Sequence, residues 1–193
     1  MEDTAFCVPY SANLNKFLKP GSLEDVLRRW QEPHRAFHTL AHLQSILISV
    51  DPSRVALVLA AFYHDAVYNP KPAKPKENEQ QSAALLLSQA QPSPIIDKAV
   101  AIIRSTGSFC HKSDPLEEEF FTLDCQALLG DQEALAVYEQ QIRKEFACFP
   151  VQDYVKGRAE FLLEASAQFP ENKANLLQLR QQVLASLNTP TLE

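Results

Sequence analysis

A histidine, a histidine–aspartate pair and an apolar run define the first candidate site. His64 and Asp65 directly follow nine apolar residues, Val55–Tyr63, which have the composition of a helix enclosed by other helices. A carboxylate at the end of such a helix is desolvated and lies near the negative end of the helix dipole, so it requires a nearby cation. A metal ion held by His42, His64 and Asp65 would meet that requirement with imidazole and carboxylate donors. The alternative is a hydrogen-bonded helix cap that faces solvent.

Three of the five histidines are evenly spaced, because His34, His38 and His42 fall four residues apart. This spacing places side chains along one face of a helix, and we expect His38 and His42 to be helical. Two histidines at this spacing are by themselves more often ordinary helix residues than ligands. The metal hypothesis therefore depends on their combination with His64 and Asp65.

Asp124 is the candidate for a fourth ligand. It lies four residues after Phe120 and three after Phe121, so a helix would put its carboxylate on an apolar face. Asp114 and Asp131 have a different explanation, because each directly precedes a predicted helix. We expect these two acids to cap helices and Asp124 to bind metal.

The elements that position these residues are predicted to be helices throughout. The chain has four glycines and thirteen prolines, and the prolines fall between the apolar periodic stretches. Ser22 and Ser53 are expected to cap two helices. We expect one all-α domain over 1–193, with the metal-site core in about 33–130 and C-terminal helices over about 131–188 packing on it. The predicted helices cover 22–32, 36–50, 55–67, 77–89, 95–104, 115–129, 132–149, 151–169 and 172–187.

Composition and charge exclude several classes of protein. A chain of 193 residues that is 46% hydrophobic and 22% charged is expected to fold. Its longest uncharged apolar run is too short for a membrane span, and its net charge of −6 opposes broad binding to duplex nucleic acid. The acidic start of the chain and four widely separated cysteines predict a cytoplasmic protein with reduced thiols.

The ordered set of histidines and aspartates resembles the signature of the HD-domain superfamily of metal-dependent phosphohydrolases. Within that superfamily, three stretches resemble a small group described as predicted metal-dependent HD phosphohydrolases, and weaker similarity continues toward the C-terminus. The three stretches are 33–42 (PHRAFHTLAH), 61–68 (AFYHDAVY) and 77–83 (ENEQQSA), and the weaker similarity is at Tyr138, at 142–145 (IRKE) and at Gly157 and Arg158.

The resemblance implies an HD-type helical bundle with four metal ligands, which are His42, His64, Asp65 and Asp124. The stretch that ends at His42 is also similar to the Tyr-His-Asn-x-x-His element of cyclic-nucleotide phosphodiesterases, whose first histidine is a proton donor. Carried over, His38 is the catalytic acid. Near the fourth ligand the narrower group usually shows a second acid in an Asp-x-Asp-Leu pattern, whereas this chain has Asp124-Cys125-Gln126.

Two imidazoles and two carboxylates suit one or two divalent transition-metal ions, with Mn, Fe, Zn, Co and Ni as candidates. Such an ion lowers the pKa of a bound water toward neutrality and polarises a phosphoryl oxygen. We expect His38 to protonate the leaving alkoxide and Asp65 to take part in catalysis, bridging a second ion if one binds. His111, Lys112 and Arg35 are candidate substrate-binding residues. The loop lysines Lys74 and Lys76 are more often solvated than phosphate-binding.

The leading prediction is a metal-dependent hydrolase of a small phosphate ester, nucleotides included, acting as a phosphomonoesterase or phosphodiesterase. Two alternatives stay open. One is an HD-type di-iron oxygenase, which would need two irons and oxygen. The other is a non-catalytic helical module that binds or senses a metabolite. The sequence predicts neither a membrane nor duplex nucleic acid as partner, and it carries no signature of oligomeric state.

Overall fold

The protein is all-helical, as the sequence predicts. The computed structural model describes residues 5–188, so the acidic residues 1–4 lie outside the described part. Within that part there is no β-strand, and an isolated bridge joins Leu18 to Ala90. No helix among these residues is long and apolar enough to cross a membrane. The α-helices are α1 Val8–Leu14, α2 Ser22–Arg29, α3 Leu40–Leu47, α4 Val55–Tyr63, α5 Glu77–Gln89, α6 Pro94–Thr106, α7 Pro115–Asp124, α8 Gln132–Glu145, α9 Val151–Gln168 and α10 Lys173–Ala185, with short 3₁₀ helices at Ala5–Cys7, Gln126–Leu129, Pro170–Asn172 and Ser186–Asn188.

The chain divides into two compact units, the first ending at Asp124 and the second beginning at Cys125. All four residues predicted to bind metal belong to the first unit. The second unit contains α8, α9 and α10. The organisation into a single domain stays a prediction.

Helix α4 forms the centre of the first unit. Seven of its nine residues are buried, and it contacts α1, α2, α3, α5, α6 and α7. Burial of each large apolar side chain contributes roughly 1.5–3 kcal/mol to folding. Because α4 is enclosed by its neighbours, the position of its C-terminal end, and of the residues that follow, is fixed by the core.

Helix α3 begins later than the sequence predicts. Thr39 has an extended backbone, with φ −110° and ψ −178°, and its Oγ1 accepts a hydrogen bond from the N–H of Ala41 at 3.3 Å. Thr39 is therefore the N-cap, and the helix starts at Leu40. The prediction that His38 is helical is wrong, and only His42 of the three evenly spaced histidines lies on a helix.

Helix α4 also differs from its prediction, because it ends at Tyr63 and not at residue 67. Of the four predicted caps, the two aspartates are confirmed. Asp114 accepts from the N–H groups of Leu116 and Glu117 at 3.0 and 3.2 Å, and Asp131 accepts from the N–H of Ala134 at 2.9 Å.

The two predicted serine caps are wrong. Gly21, with φ +81°, is the N-cap of α2, and the hydroxyl of Ser22 donates to the Gln89 carbonyl at 3.3 Å. The N-cap of α4 is Arg54, which makes no side-chain cap hydrogen bond. Ser53 lies one residue earlier, in a turn in which its N–H donates to Asp51 Oδ1 at 2.7 Å. Ser22 thus bonds to a residue far along the chain, and Ser53 lies in a local turn.

Candidate metal centre

The C-terminus of α4 fixes His64 through both its backbone and its ring. The His64 N–H donates to the Ala60 carbonyl at 2.8 Å, and the ring Nδ1 lies 3.0 Å from the Ala61 carbonyl oxygen. A carbonyl can only accept, so Nδ1 carries the proton and the neutral ring presents Nε2 as a lone pair. The side chain is 1% exposed. This lone pair therefore points into the interior of the protein.

The lone pair of His64 faces two carboxylates. Nε2 is 3.2 Å from Asp124 Oδ1 and 3.3 Å from Asp65 Oδ2, yet it makes no hydrogen bond with any residue that the structure describes. All three atoms are acceptors while the ring is neutral, so they repel one another unless a cation lies between them. Burial lowers the pKa of His64, but the two carboxylates outweigh it and raise that pKa well above its ordinary value. A proton or a metal ion would satisfy this arrangement.

His42, in the first turn of α3, contacts the same Asp124 oxygen as His64. It is 5% exposed, and its Nε2 lies 3.1 Å from Asp124 Oδ1. Burial lowers the pKa of His42 and favours the neutral ring. Burial would raise the pKa of the Asp124 carboxyl, but His64 and His42 hold it well below its usual value. Asp124 is thus a carboxylate shared by two imidazoles.

His42, His64 and Asp65 form a group that could hold a metal ion. Each offers one ligand atom, and these atoms all lie within 4.8 Å of one another. Asp124, the last residue of α7, adjoins the group through both histidines. The structure therefore brings all four predicted ligands together, from α3, from the end of α4 and from the end of α7.

Asp65 and His38 lie, partly exposed, beside the two buried histidines of this cluster. The side chains are 15% and 19% exposed, and His38 Nε2 is 3.7 Å from Asp65 Oδ2. Burial raises the pKa of Asp65, but His64 and then His38 lower it by more. The His38 ring packs on Tyr68 and Phe37, with centroid distances of 4.4 and 4.9 Å. His38 thus lies beside the ligand set, with its imidazole held between aromatic rings.

Arg35, a predicted substrate-binding residue, is placed differently. Its side chain has 0% exposure. The guanidinium donates to Glu32 at 3.1 Å, to the His38 carbonyl at 3.2 Å and to the Ala66 carbonyl at 3.4 Å. With no exposed surface it is not positioned to meet a substrate. Instead it ties the segment that carries His38 to the segment that follows Asp65.

His111 and Lys112, the other predicted substrate-binding residues, gather around Glu118. His111 Nδ1 lies 2.6 Å from Glu118 Oε1, and the Lys112 N–H donates to Glu118 Oε2 at 2.6 Å. Glu118 is in the first turn of α7, whereas Asp124 is its last residue. Six helical residues span about 9 Å along the axis. This local pairing is therefore separated from the carboxylate of the metal centre by most of α7.

Trp30 has a role at the site that the sequence did not indicate. It is fully buried, as predicted for a core residue, but its ring also lies 5.4 Å from that of His64 and 6.2 Å from that of His42. Its Nε1 donates to the Phe62 carbonyl at 2.8 Å. Trp30 thus forms an apolar wall behind both imidazoles and satisfies one of the last carbonyls of α4.

Two polar residues of α5 hold the loop that follows Asp65. Ser82, fully buried, accepts from the Val67 N–H at 3.0 Å, and Asn78 accepts from the Asn69 N–H at 3.1 Å. Both residues fall in the ENEQQSA stretch, one of the three stretches that carry the family resemblance. Ser82 and Asn78 therefore hold the loop after Asp65 against α5, a role that depends on the tertiary structure.

The donor set fits a transition-metal ion, because the unpartnered Nε2 of His64 faces carboxylate oxygens inside a largely apolar wall. An all-oxygen calcium or magnesium site would not place two imidazoles there. Comparisons of the chain with protein-family models, with curated proteins and with solved structures found no match.

Proposed function

We propose that the chain is an HD-type metal-dependent phosphohydrolase that acts on a small phosphate ester. The observation that carries this proposal is the buried Nε2 of His64, which lies 3.2–3.3 Å from two carboxylate oxygens without a hydrogen bond to any described residue. The His64 nitrogen and the two carboxylate oxygens converge on one point, and imidazole and carboxylate are donor types that a divalent transition-metal ion takes.

Four residues would hold the metal: His42, His64, Asp65 and Asp124. The ion, when bound, supplies the Lewis acidity that activates water and polarises a phosphoryl oxygen. Mn, Fe, Zn, Co and Ni are the candidate ions for two imidazoles and two carboxylates. The chain's part is to keep His64 in one tautomer through Ala61 and to exclude solvent from the back of the site through Trp30.

His38 is proposed as the general acid. Its ring is partly exposed and close to Asp65 without belonging to the group of three ligand atoms. A proton held at Nε2 could pass to the leaving alkoxide of a substrate, a role suited to an imidazole near neutral pH. Arg35 would fix the backbone of this residue through its bond to the His38 carbonyl.

The first test is metal content. The full chain, purified without chelators or a histidine tag, would be analysed by elemental mass spectrometry as isolated and after reconstitution with Mn and with Fe. We expect about one or two equivalents of metal per chain. Absence of metal under every condition would overturn the proposal.

The second test separates the hydrolase from the two alternatives. Metal-loaded protein would be assayed with p-nitrophenyl phosphate, bis(p-nitrophenyl) phosphate and a panel of nucleotides. Metal-dependent phosphate release supports the proposal. Two irons per chain with oxygen consumption and no phosphate release would indicate an oxygenase, and metal binding with no turnover of any kind would indicate a binding module.

A further inference from the structure

A second group of polar side chains lines a cavity in the first unit. The cavity has a volume of about 450 Å³ and is lined by Lys76, Glu79, Gln80 and Arg104. None of these residues belongs to the metal centre. The lining offers two cations, one carboxylate and one amide and contains no aromatic ring, so it suits a small charged ligand better than a nucleobase or an apolar molecule.

Lys76 is held in a defined position, which is unusual for a loop lysine. Its backbone is left-handed, with φ +60°, and its side-chain stem lies against Gly107. A Cβ at position 107 would be 3.1 Å from Lys76 Cγ, so the glycine makes room for the stem. The ammonium then donates to Ser108 Oγ at 2.7 Å. Two of its three N–H groups remain for other acceptors.

The charges in the cavity are not balanced against each other. Glu79 Oε2 is buried and has no hydrogen-bond partner among residues 5–188. Neither Lys76 nor Arg104 donates to Glu79 Oε2, although the three side chains share the cavity. One oxygen of this carboxylate therefore has neither water nor a donor, which is unfavourable. A cation bound against it would offset that cost.

We propose that this cavity binds a small aliphatic zwitterion, a molecule with an ammonium group and a phosphate or carboxylate group a few bonds apart. The ammonium group would bind Glu79, and the anionic group would bind Lys76 and Arg104. Gln80 can donate to or accept from either end. A simple anion would pair with Lys76 and Arg104 but would place a second negative charge beside Glu79. A simple cation would pair with Glu79 but would place a third positive charge beside Lys76 and Arg104.

The test is isothermal titration calorimetry on the full chain with two zwitterions that differ in the anion. β-Alanine carries a carboxylate, and O-phosphoethanolamine carries a phosphate. Ammonium, acetate and inorganic phosphate serve as the separate halves. Because a phosphate could also bind at the metal centre, each titration is repeated on the Asp65→Ala chain. The inference does not depend on phosphohydrolase activity, and its readout is binding alone.

We expect at least one zwitterion to bind about tenfold more tightly than either half, in both chains. Glu79→Gln and Lys76→Gly should each weaken that binding by about tenfold or more. Glycine is chosen at 76 because it accepts the left-handed backbone without strain, so lost binding cannot be assigned to misfolding. Lys74→Ala, in the same loop but outside the cavity lining, is the matched control and should leave binding unchanged.

Which zwitterion binds identifies the anionic group of the ligand. The inference is overturned if neither zwitterion binds at about 10 mM, which is weaker than ordinary metabolite sites. It is also overturned if the Glu79→Gln and Lys76→Gly chains bind as tightly as the wild type, because the ligand would then lie elsewhere. An internal Glu79–Arg104 ion pair in solution would produce the first of these outcomes.

Discussion

Two buried polar clusters, one in each unit, differ in how their charges are balanced. In the second unit, Arg158 donates to Glu139 at 2.7 Å and packs on Tyr138 and Phe161, with ring distances of 4.8 and 4.9 Å. Its cation and carboxylate neutralise each other within the chain. In the first unit, two carboxylates surround two imidazoles. Arg158 and Glu139 balance each other in charge, although Arg158 Nη2 is buried without a hydrogen-bond partner among the described residues. In the candidate metal centre, a proton or a metal ion would offset the repulsion between the two carboxylates.

The largest effect should follow from removing a carboxylate of the unbalanced cluster. Asp65→Ala is expected to abolish metal binding and phosphate release while the chain stays folded, because repulsion in the cluster falls. Elemental mass spectrometry, circular dichroism and the phosphate assay measure the three quantities.

The matched control for this change is Asp114→Ala, which removes an acid that caps α7 and pairs with Lys98 at 2.6 Å. It should cost about 0.5–2 kcal/mol of unfolding free energy and leave metal content unchanged. Full metal content in the Asp65→Ala chain would contradict the assignment of the site.

Breaking the balanced cluster should affect stability and leave metal content alone. Arg158→Met removes the cation from the mostly buried Glu139 carboxylate, which also accepts from the Tyr154 hydroxyl, and is expected to lower the free energy of unfolding by about 3–5 kcal/mol. The double change Arg158→Met with Glu139→Gln should recover part of this loss, because no buried charge remains. Chemical denaturation measures both. A loss below about 1 kcal/mol for the single change would show that the cluster is not a structural ion pair.

His38→Ala tests the histidine that lies beside the candidate ligands without belonging to them. Turnover of an alkyl phosphate should fall by about 10²–10⁴-fold with metal content unchanged. The loss should be much smaller for p-nitrophenyl phosphate, because its leaving group needs no proton. Loss of metal in this chain would instead make His38 a ligand, and equal losses for the two substrates would argue against general-acid catalysis.

The smallest effect is expected at the start of the helix that carries His42. Thr39→Ala removes the N-cap of α3 and should cost about 1 kcal/mol of stability. Ser53→Ala is the control, because Ser53 is not a cap, and it should change stability by less than about 0.5 kcal/mol. Thermal denaturation of the metal-loaded chains compares the two. Equal effects would mean that the Thr39 hydroxyl does not stabilise α3.

Features set by neighbouring residues could be predicted from the sequence. The bounds of α5 were predicted as 77–89, and the structure has Glu77–Gln89. The caps at Asp114 and Asp131 depend on residues two or three positions away, so local pattern was sufficient. The meeting of the four predicted ligands is an exception, because it joins residues up to 82 positions apart. It was predicted from the family resemblance and from the need of a carboxylate on an apolar helix face for a partner.

Features set by distant residues could not be predicted. Helix α4 stops at Tyr63 partly because Trp30, more than 30 positions earlier, takes the Phe62 carbonyl. The burial of Arg35 likewise depends on Ala66, which lies in another segment. Helix α1, seven residues long, carries too short a pattern to be recognised and is stabilised by burial of Tyr10 and Leu14.

The enclosure of α4 restricts how the length of the chain can change over evolution. One residue inserted into α4 would turn His64 by about 100° and shift it by about 1.5 Å, which would carry its lone pair away from both carboxylates. Because most residues of α4 are buried, the surrounding core cannot adjust to this rotation and shift. In the proline-rich segment between α4 and α5, the exposed stretch 71–75 can change length at far lower cost. Insertions and deletions should therefore accumulate in the loop between α4 and α5 and be absent from α4, the helix that positions His64.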